Sequence, residues 1–175
     1  MNLYILRHAS AGTRRDNPLL DTKRPLDKEG KFQCILVGNL LNALNVQFDL
    51  IASSALKRAL QTASLVGTEV GYDAKIHIAE ALAPSGTAAV FQEFIASLAK
   101  HENVLLVGHN PNLPQFLGSL IASPNRANIR MRKGAIARVE YTHRPGVLNW
   151  LVDPRMLRGV YANVAKISLR KTSRK

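Results

Sequence analysis

Two histidines and two arginines stand out because each follows an apolar run of strand length. The run Leu3-Tyr4-Ile5-Leu6 ends on Arg7-His8-Ala9, and Val104-Leu105-Leu106-Val107-Gly108 ends on His109-Asn110-Pro111. A third run, residues 48–52, leads through Ser53-Ser54 to Arg58, in the first turn of an expected helix. An imidazole beside a guanidinium can attack phosphorus, the ring nitrogen supplying electrons while the guanidinium holds phosphoryl oxygens. A helix N-terminus offers free N–H groups and a positive dipole, so Arg58 adds a fork-shaped cation where an anion is already favoured. Ligands of open α/β sheets gather outside the carboxyl ends of the strands. Arg7, His8, Arg58 and His109 are therefore expected to converge on one tetrahedral dianion.

The elements that must position them alternate. Residues 3–6, 48–52, 75–78 and 104–107 read as strands. The last is continuously apolar, which suits burial on both faces of a sheet. Asp27 is expected to cap a helix reaching about residue 44, with Glu29 in its first turn and Phe32, Leu36, Leu40, Leu41 and Leu44 at helical spacing. Further helices are expected over residues 56–71, capped by Ser53-Ser54, over 87–100, capped by Thr87, and over 111–121. Residues 135–141 and 147–152 read as strands joined by a turn at Pro145-Gly146, and residues 160–169 as one more strand. His77 is expected to be partly buried in the third strand. Residues 9–26 form a polar connection longer than most, and long ordered loops often carry function. This order predicts an α/β fold, a three-layer α/β/α sandwich with a largely parallel central sheet.

The motifs resemble those of the histidine phosphatase superfamily, which includes the cofactor-dependent phosphoglycerate mutases. That family carries Arg-His-Gly or Arg-His-Ala after its first strand, Ser-Pro-x-x-Arg-Ala-x-x-Thr-Ala after the second, and a Gly-His-Asn-Pro-like segment after a later one. Here the matching stretches are Arg7-His8-Ala9, Ser54-Ala55-Leu56-Lys57-Arg58-Ala59-Leu60-Gln61-Thr62-Ala63, and Gly108-His109-Asn110-Pro111, with Ala55 in place of the proline. Arg24-Pro25-Leu26, Leu82-Ala83-Pro84-Ser85-Gly86 and Gly134-Ala135-Ile136-Ala137 resemble the SixA-type phosphohistidine phosphatases, and the likeness runs to about Asp153. The resemblance implies a phosphoglycerate mutase-like fold and a phosphatase working through a phosphohistidine on His8. Arg7, Arg58 and His109 would bind the phosphoryl oxygens, His109 most usefully when protonated. Arg24, Ser54 and Asn110 are candidate substrate contacts; Arg24 either touches substrate or only closes its loop. Relatives often place a general acid where Ala81 stands here, so Glu80, one residue early, is either a displaced acid or a surface residue. Expelling an alkoxide requires a proton donor, whereas expelling an imidazole does not, because its free ring nitrogen, with a pKa of ~6.5, can already be protonated. The implied substrate is phosphohistidine on a signalling protein such as a phosphotransfer domain; the alternative is a small phosphate ester.

Composition bounds these readings. The 175 residues suit one domain, expected as a catalytic unit over 1–153 with a basic extension over 154–175 holding the added strand and a disordered end. Cys34, the only cysteine, reads as a core residue. No secretory signal or membrane span is visible, so the cytoplasm is the expected compartment. No His, Cys, Asp or Glu cluster has metal-ligand spacing, and neither a metal nor another cofactor is expected. The net charge of +12 is uneven: residues 126–175 hold 13 Lys/Arg against 2 Asp/Glu, and the rest is nearly balanced. This basic third suits an acidic partner, giving a binding-module reading beside the enzymatic one. No aromatic-basic platform or nucleic-acid motif accompanies it, which argues against nucleic acid.

Overall fold

The computed structural model describes residues 1–122 and 127–172, with side chains up to residue 163. The strands are β1 (Asn2–Arg7), β2 (Leu50–Ser53), β3 (His77–Ile78), β4 (Asn103–Gly108), β5 (Ile136–Glu140) and β6 (Val147–Val152). The helices are α1 (Pro18–Thr22), α2 (Lys28–Ala43), α3 (Lys57–Glu69), α4 (Ala88–Ser97), α5 (Asn112–Ile121) and α6 (Pro154–Thr172), with a single 3-10 turn at Glu80–Leu82. One sheet joins the strands in the order β3-β2-β4-β1-β5-β6. β1 pairs parallel with β4, as β2 does with β4 and β3. Only β5 runs against the others, antiparallel to both β1 and β6. The expected largely parallel sheet is thus present.

Alternation along β1 and β4 divides the core in two. Leu3, Ile5, Val104 and Leu106 face a cluster with Phe91, Ile95, Leu113 and Leu117 of α4 and α5. Tyr4, Leu6, Leu105 and Val107 face a cluster with Cys34, Val37 and Leu41 of α2, Ala63 and Val66 of α3, and Leu157 of α6. Both faces of the central strands are covered, which explains their unbroken apolar runs. Burial pushes the Cys34 thiol up to about 12, so it is a core residue and not a nucleophile at neutral pH.

Three expectations need correction. Residues 160–169 are not a strand: they continue α6, which Asp153 caps by accepting from the Arg155 N–H at 2.9 Å. Pro154 at its first position suits helix entry, and Leu157 and Tyr161, one turn apart, pack on the α2 side of the core. On α2, Leu36 and Leu41 are buried but Phe32 and Leu44 are exposed; the inward stripe runs through Gly30, Cys34, Val37 and Leu41. The stripe is rotated because α3 approaches at Gly38, where a Cβ would stand only 2.3 Å from the Glu69 Cβ. His77 is exposed on its short strand, stacked on Phe94. The end beyond Thr172 lies outside the described residues. Among those residues no helix is long and apolar enough to cross a membrane.

Candidate active site

The parallel register of β1 and β4 sets Arg7 beside Gly108, so the residues that follow leave the sheet together. The His8 N–H donates to the Gly108 carbonyl at 3.0 Å, and the His8 and His109 rings lie 5.0 Å apart between centroids. β2 ends beside them, its Ser54 N–H bonded to the Val107 carbonyl at 3.1 Å, and α3 then carries Arg58 into the same space. Arg7, His8, Arg58 and His109 line one pocket of about 520 Å³, together with Arg24 and Lys133. The expected convergence at the carboxyl edge of the sheet is therefore present.

His8 is oriented by its neighbours. Its Nδ1 lies 2.8 Å from the Ala9 carbonyl oxygen. A carbonyl only accepts, so Nδ1 carries the proton and Nε2 keeps its lone pair. The Ala9 N–H in turn donates to Thr62 Oγ1 at 3.1 Å, and the Thr62 hydroxyl donates to the Arg58 carbonyl at 2.7 Å. Thr62 thus ties the backbone beside the imidazole to the helix that holds the guanidinium. Behind the loop, Gly134 at φ +73° donates its N–H to both the Arg7 and His8 carbonyls, a left-handed conformation that favours glycine.

The site is cationic, and its imidazoles are neutral. Burial pushes His8 down to about 3, helped by the charges of Arg58, Arg7 and Lys133 and opposed by the Ala9 hydrogen bond. Burial likewise pushes His109 down to about 2, with His8 and the arginines adding to the effect. His109 is therefore held neutral in the free site rather than protonated. Among the described residues, both His109 ring nitrogens and the Arg7 and Arg58 Nε atoms are buried without a hydrogen-bond partner. The Nε–H groups of the two arginines and the single N–H of the neutral His109 ring are donors that match the oxygens of a tetrahedral anion.

The long connection folds over one side of the pocket through α1. Asn17 caps that helix, accepting from the Leu19 N–H at 2.9 Å, and Pro18 opens it. Asp21 then meets two arginines: its Oδ1 is 2.8 Å from Arg24 Nε, and its Oδ2 is 3.2 Å from Arg58 Nη1. Hydrogen bonds from the Arg15 N–H and the Arg24 side chain hold the Asp21 carboxyl down at about 2. Arg24 also donates from Nη1 to the Ala11 carbonyl at 2.8 Å, so it closes the loop while lining the pocket.

Asn110 stands at the pocket's edge and donates to the Met131 carbonyl at 3.3 Å, which also accepts from Arg7 Nη1 at 2.9 Å. Ser54 is fully buried and does not line the pocket; its Oγ accepts from the Leu56 N–H at 3.3 Å. Neither serine caps α3, whose N-cap is Leu56 with no side-chain bond. Glu80 is exposed, outside the pocket lining. Among the described residues no three His, Cys, Asp or Glu side chains are grouped to hold a metal ion. Asp21 and Lys133 are the site residues that the motifs did not single out, and the motif that contains Thr62 did not reveal its bonds to Ala9 and Arg58. The acid three residues before Arg24 was the visible hint for Asp21.

A sheet edge that gathers two neutral imidazoles among guanidiniums suits phosphoryl transfer. Residues 3–83 match the family model of the histidine phosphatase superfamily (branch 1). A protein of Picosynechococcus sp. is 30% identical over 167 residues, spanning 90% of this chain and 99% of its own. The chain belongs to the histidine phosphatase superfamily. Among solved structures, the protein histidine phosphatase SixA complexed with tungstate superposes with a TM-score of 0.79 at 25% identity, over 90% of this chain and 99% of that one. The α-ribazole phosphatase from Shigella flexneri shares the fold, with a TM-score of 0.67 at 20% identity over 88% and 97% of the two chains.

Proposed function

We propose that this phosphatase removes phosphate from phosphohistidine on a protein. The observation that carries the reading is the state of the carboxylates in the pocket. Asp21 is held ionised by its donors, Asp16 stands on the exposed rim, and Glu80 lies outside. A buried, protonated acid for expelling an alkoxide is missing among the described residues, and an imidazole leaving group needs none. The likeness to SixA points the same way.

In the proposed reaction the phosphoryl group settles among Arg7, Arg58 and His109, which donate to its oxygens. Arg24 and Asn110 border the substrate, and Ser54 acts only through the backbone behind the site. His8 Nε2 attacks phosphorus as the phosphorus–nitrogen bond to the substrate ring breaks; that ring, already protonated on its other nitrogen, takes the electron pair and leaves as neutral imidazole. Charge spread over the phosphoryl oxygens meets donors already in place, so little reorganisation is needed. Water then attacks the phosphohistidine on His8, releasing inorganic phosphate and restoring the Nε2 lone pair.

Phosphate release from a phosphohistidine protein, a phosphotyrosine peptide and small phosphate esters tests the assignment. The phosphohistidine protein is expected to turn over fastest, and His8→Ala to reduce release to background. Unchanged turnover by His8→Ala overturns the nucleophile; faster turnover of an ester overturns the substrate.

A further inference from the structure

A second cavity, of about 540 Å³, adjoins the catalytic pocket and shares Arg7, Asn110 and Lys133 with it. Beyond these its walls are the 130–133 segment, the first turns of α6, and Glu29 and Gln33 of α2. Six cations line it, Arg7, Arg130, Arg132, Lys133, Arg155 and Arg158, against two carboxylates. Both carboxylates are already engaged. Asp153 sits 2.9 Å from Arg155 Nη2 and 3.3 Å from Arg132 Nε while capping α6, and Glu29 pairs with Arg158. Arg130 is exposed, with no partner among the described residues. Five of the thirteen Lys/Arg of residues 126–175, Arg130, Arg132, Lys133, Arg155 and Arg158, thus gather beside the mouth of the catalytic pocket.

We propose that this groove is a docking site for acidic side chains that flank the phosphorylated residue of a protein substrate. The inference deepens the phosphohistidine reading and rests on it. The cations are mostly exposed on long, flexible side chains, which suits an adaptable protein surface better than a rigid small ligand. No aromatic side chain lines the groove, so it offers no platform on which nucleic-acid bases would stack. A run of like charge beside an active site raises the encounter rate with an opposite partner and fixes its register. The shared Met131 carbonyl, which accepts from Arg7 and Asn110, joins the groove wall to the phosphoryl pocket.

The experiment compares the full chain with its Arg130→Glu/Arg155→Glu variant on two substrates: phosphoramidate, and a phosphohistidine protein with carboxylates beside its phosphorylated histidine. The ratio of protein to phosphoramidate kcat/KM is expected to fall about tenfold or more at low salt, and the difference to shrink as salt rises. An unchanged ratio overturns the proposal. If the wild-type chain cleaves phosphoramidate but not the protein, the substrate reading fails on its own. Docking is then read by fluorescence anisotropy of a labelled deca-glutamate peptide. Binding by the wild-type chain and its loss in the variant support the groove. Absence of binding, or tighter binding of a single-stranded RNA of equal charge, overturns it.

Discussion

For the residue, burial decides the chemistry. His8 and His109 titrate at about 3 and about 2 against a usual 6.5, so both stay neutral at physiological pH. The unfolded chain takes up protons on these rings near 6.5 while the native chain does not. Stability from the two rings is therefore complete above that value and falls as the pH drops toward 3. Asp21 acts in the same direction: its contribution is present above 3.8 and is lost as pH falls through about 2. Denaturant midpoints are expected to decline steadily from about pH 7 to about pH 4, with His109→Asn flattening the slope; a flat wild-type profile would contradict the neutral pair. The four chemical residues were legible because each follows its strand or opens its helix. The neutrality of His109 was not, since it depends on how deeply the folded chain encloses the ring. Nor was Asp21 as a partner of Arg58, which lies 37 positions further along.

For the element, the turn that holds His8 depends on how closely α2 can approach it. A Cβ on Gly30 would stand 1.9 Å from the Ser10 carbonyl oxygen, so only glycine allows the contact. Asp27 fastens the same junction, its Oδ1 accepting from the Gly30 N–H and its Oδ2 from the Ser10 hydroxyl and the Gly12 N–H. Gly30→Ala is expected to cost about 1–3 kcal/mol by overpacking and to lower kcat by shifting the backbone next to His8. Gly159→Ala, in an exposed turn of α6 with nothing within 4 Å, is the control and is expected to stabilise by about 0.5–1 kcal/mol. Thermal melts and phosphate release check both, and equal behaviour of the two variants would refute the contact. Asp27 and Thr87 were readable as caps because their side-chain bonds are local, three residues long. α6 was misread because Val160 and Tyr161 favour strands, while the pull toward helix comes from α2, a tertiary partner that periodicity in a short window does not reveal.

For the whole molecule, we propose residues 1–153 as the catalytic unit and α6 as an added layer over α2. Removing residues 154–175 uncovers the surface under Leu157 and Tyr161, roughly 3 kcal/mol of apolar burial. The shortened chain is expected to fold with a Tm lower by roughly 6–12 °C, measured by calorimetry. Failure to fold would make α6 part of the domain rather than an extension of it. The sheet as a whole was legible from the alternation of apolar runs, but the position of β1 within it was not, because strand order is set by crossovers rather than by sequence neighbours. That position carries a consequence for biosynthesis. β1 is flanked by β4 and β5, so the strand that leads into His8 leaves the ribosome long before either neighbour exists. Until residue 108 has emerged β1 has neither partner, and until residue 140 it has only one, so the apolar run just before His8 stays open to other contacts. Translation must therefore deliver both partner strands before the turn that carries His8 is held in its catalytic geometry.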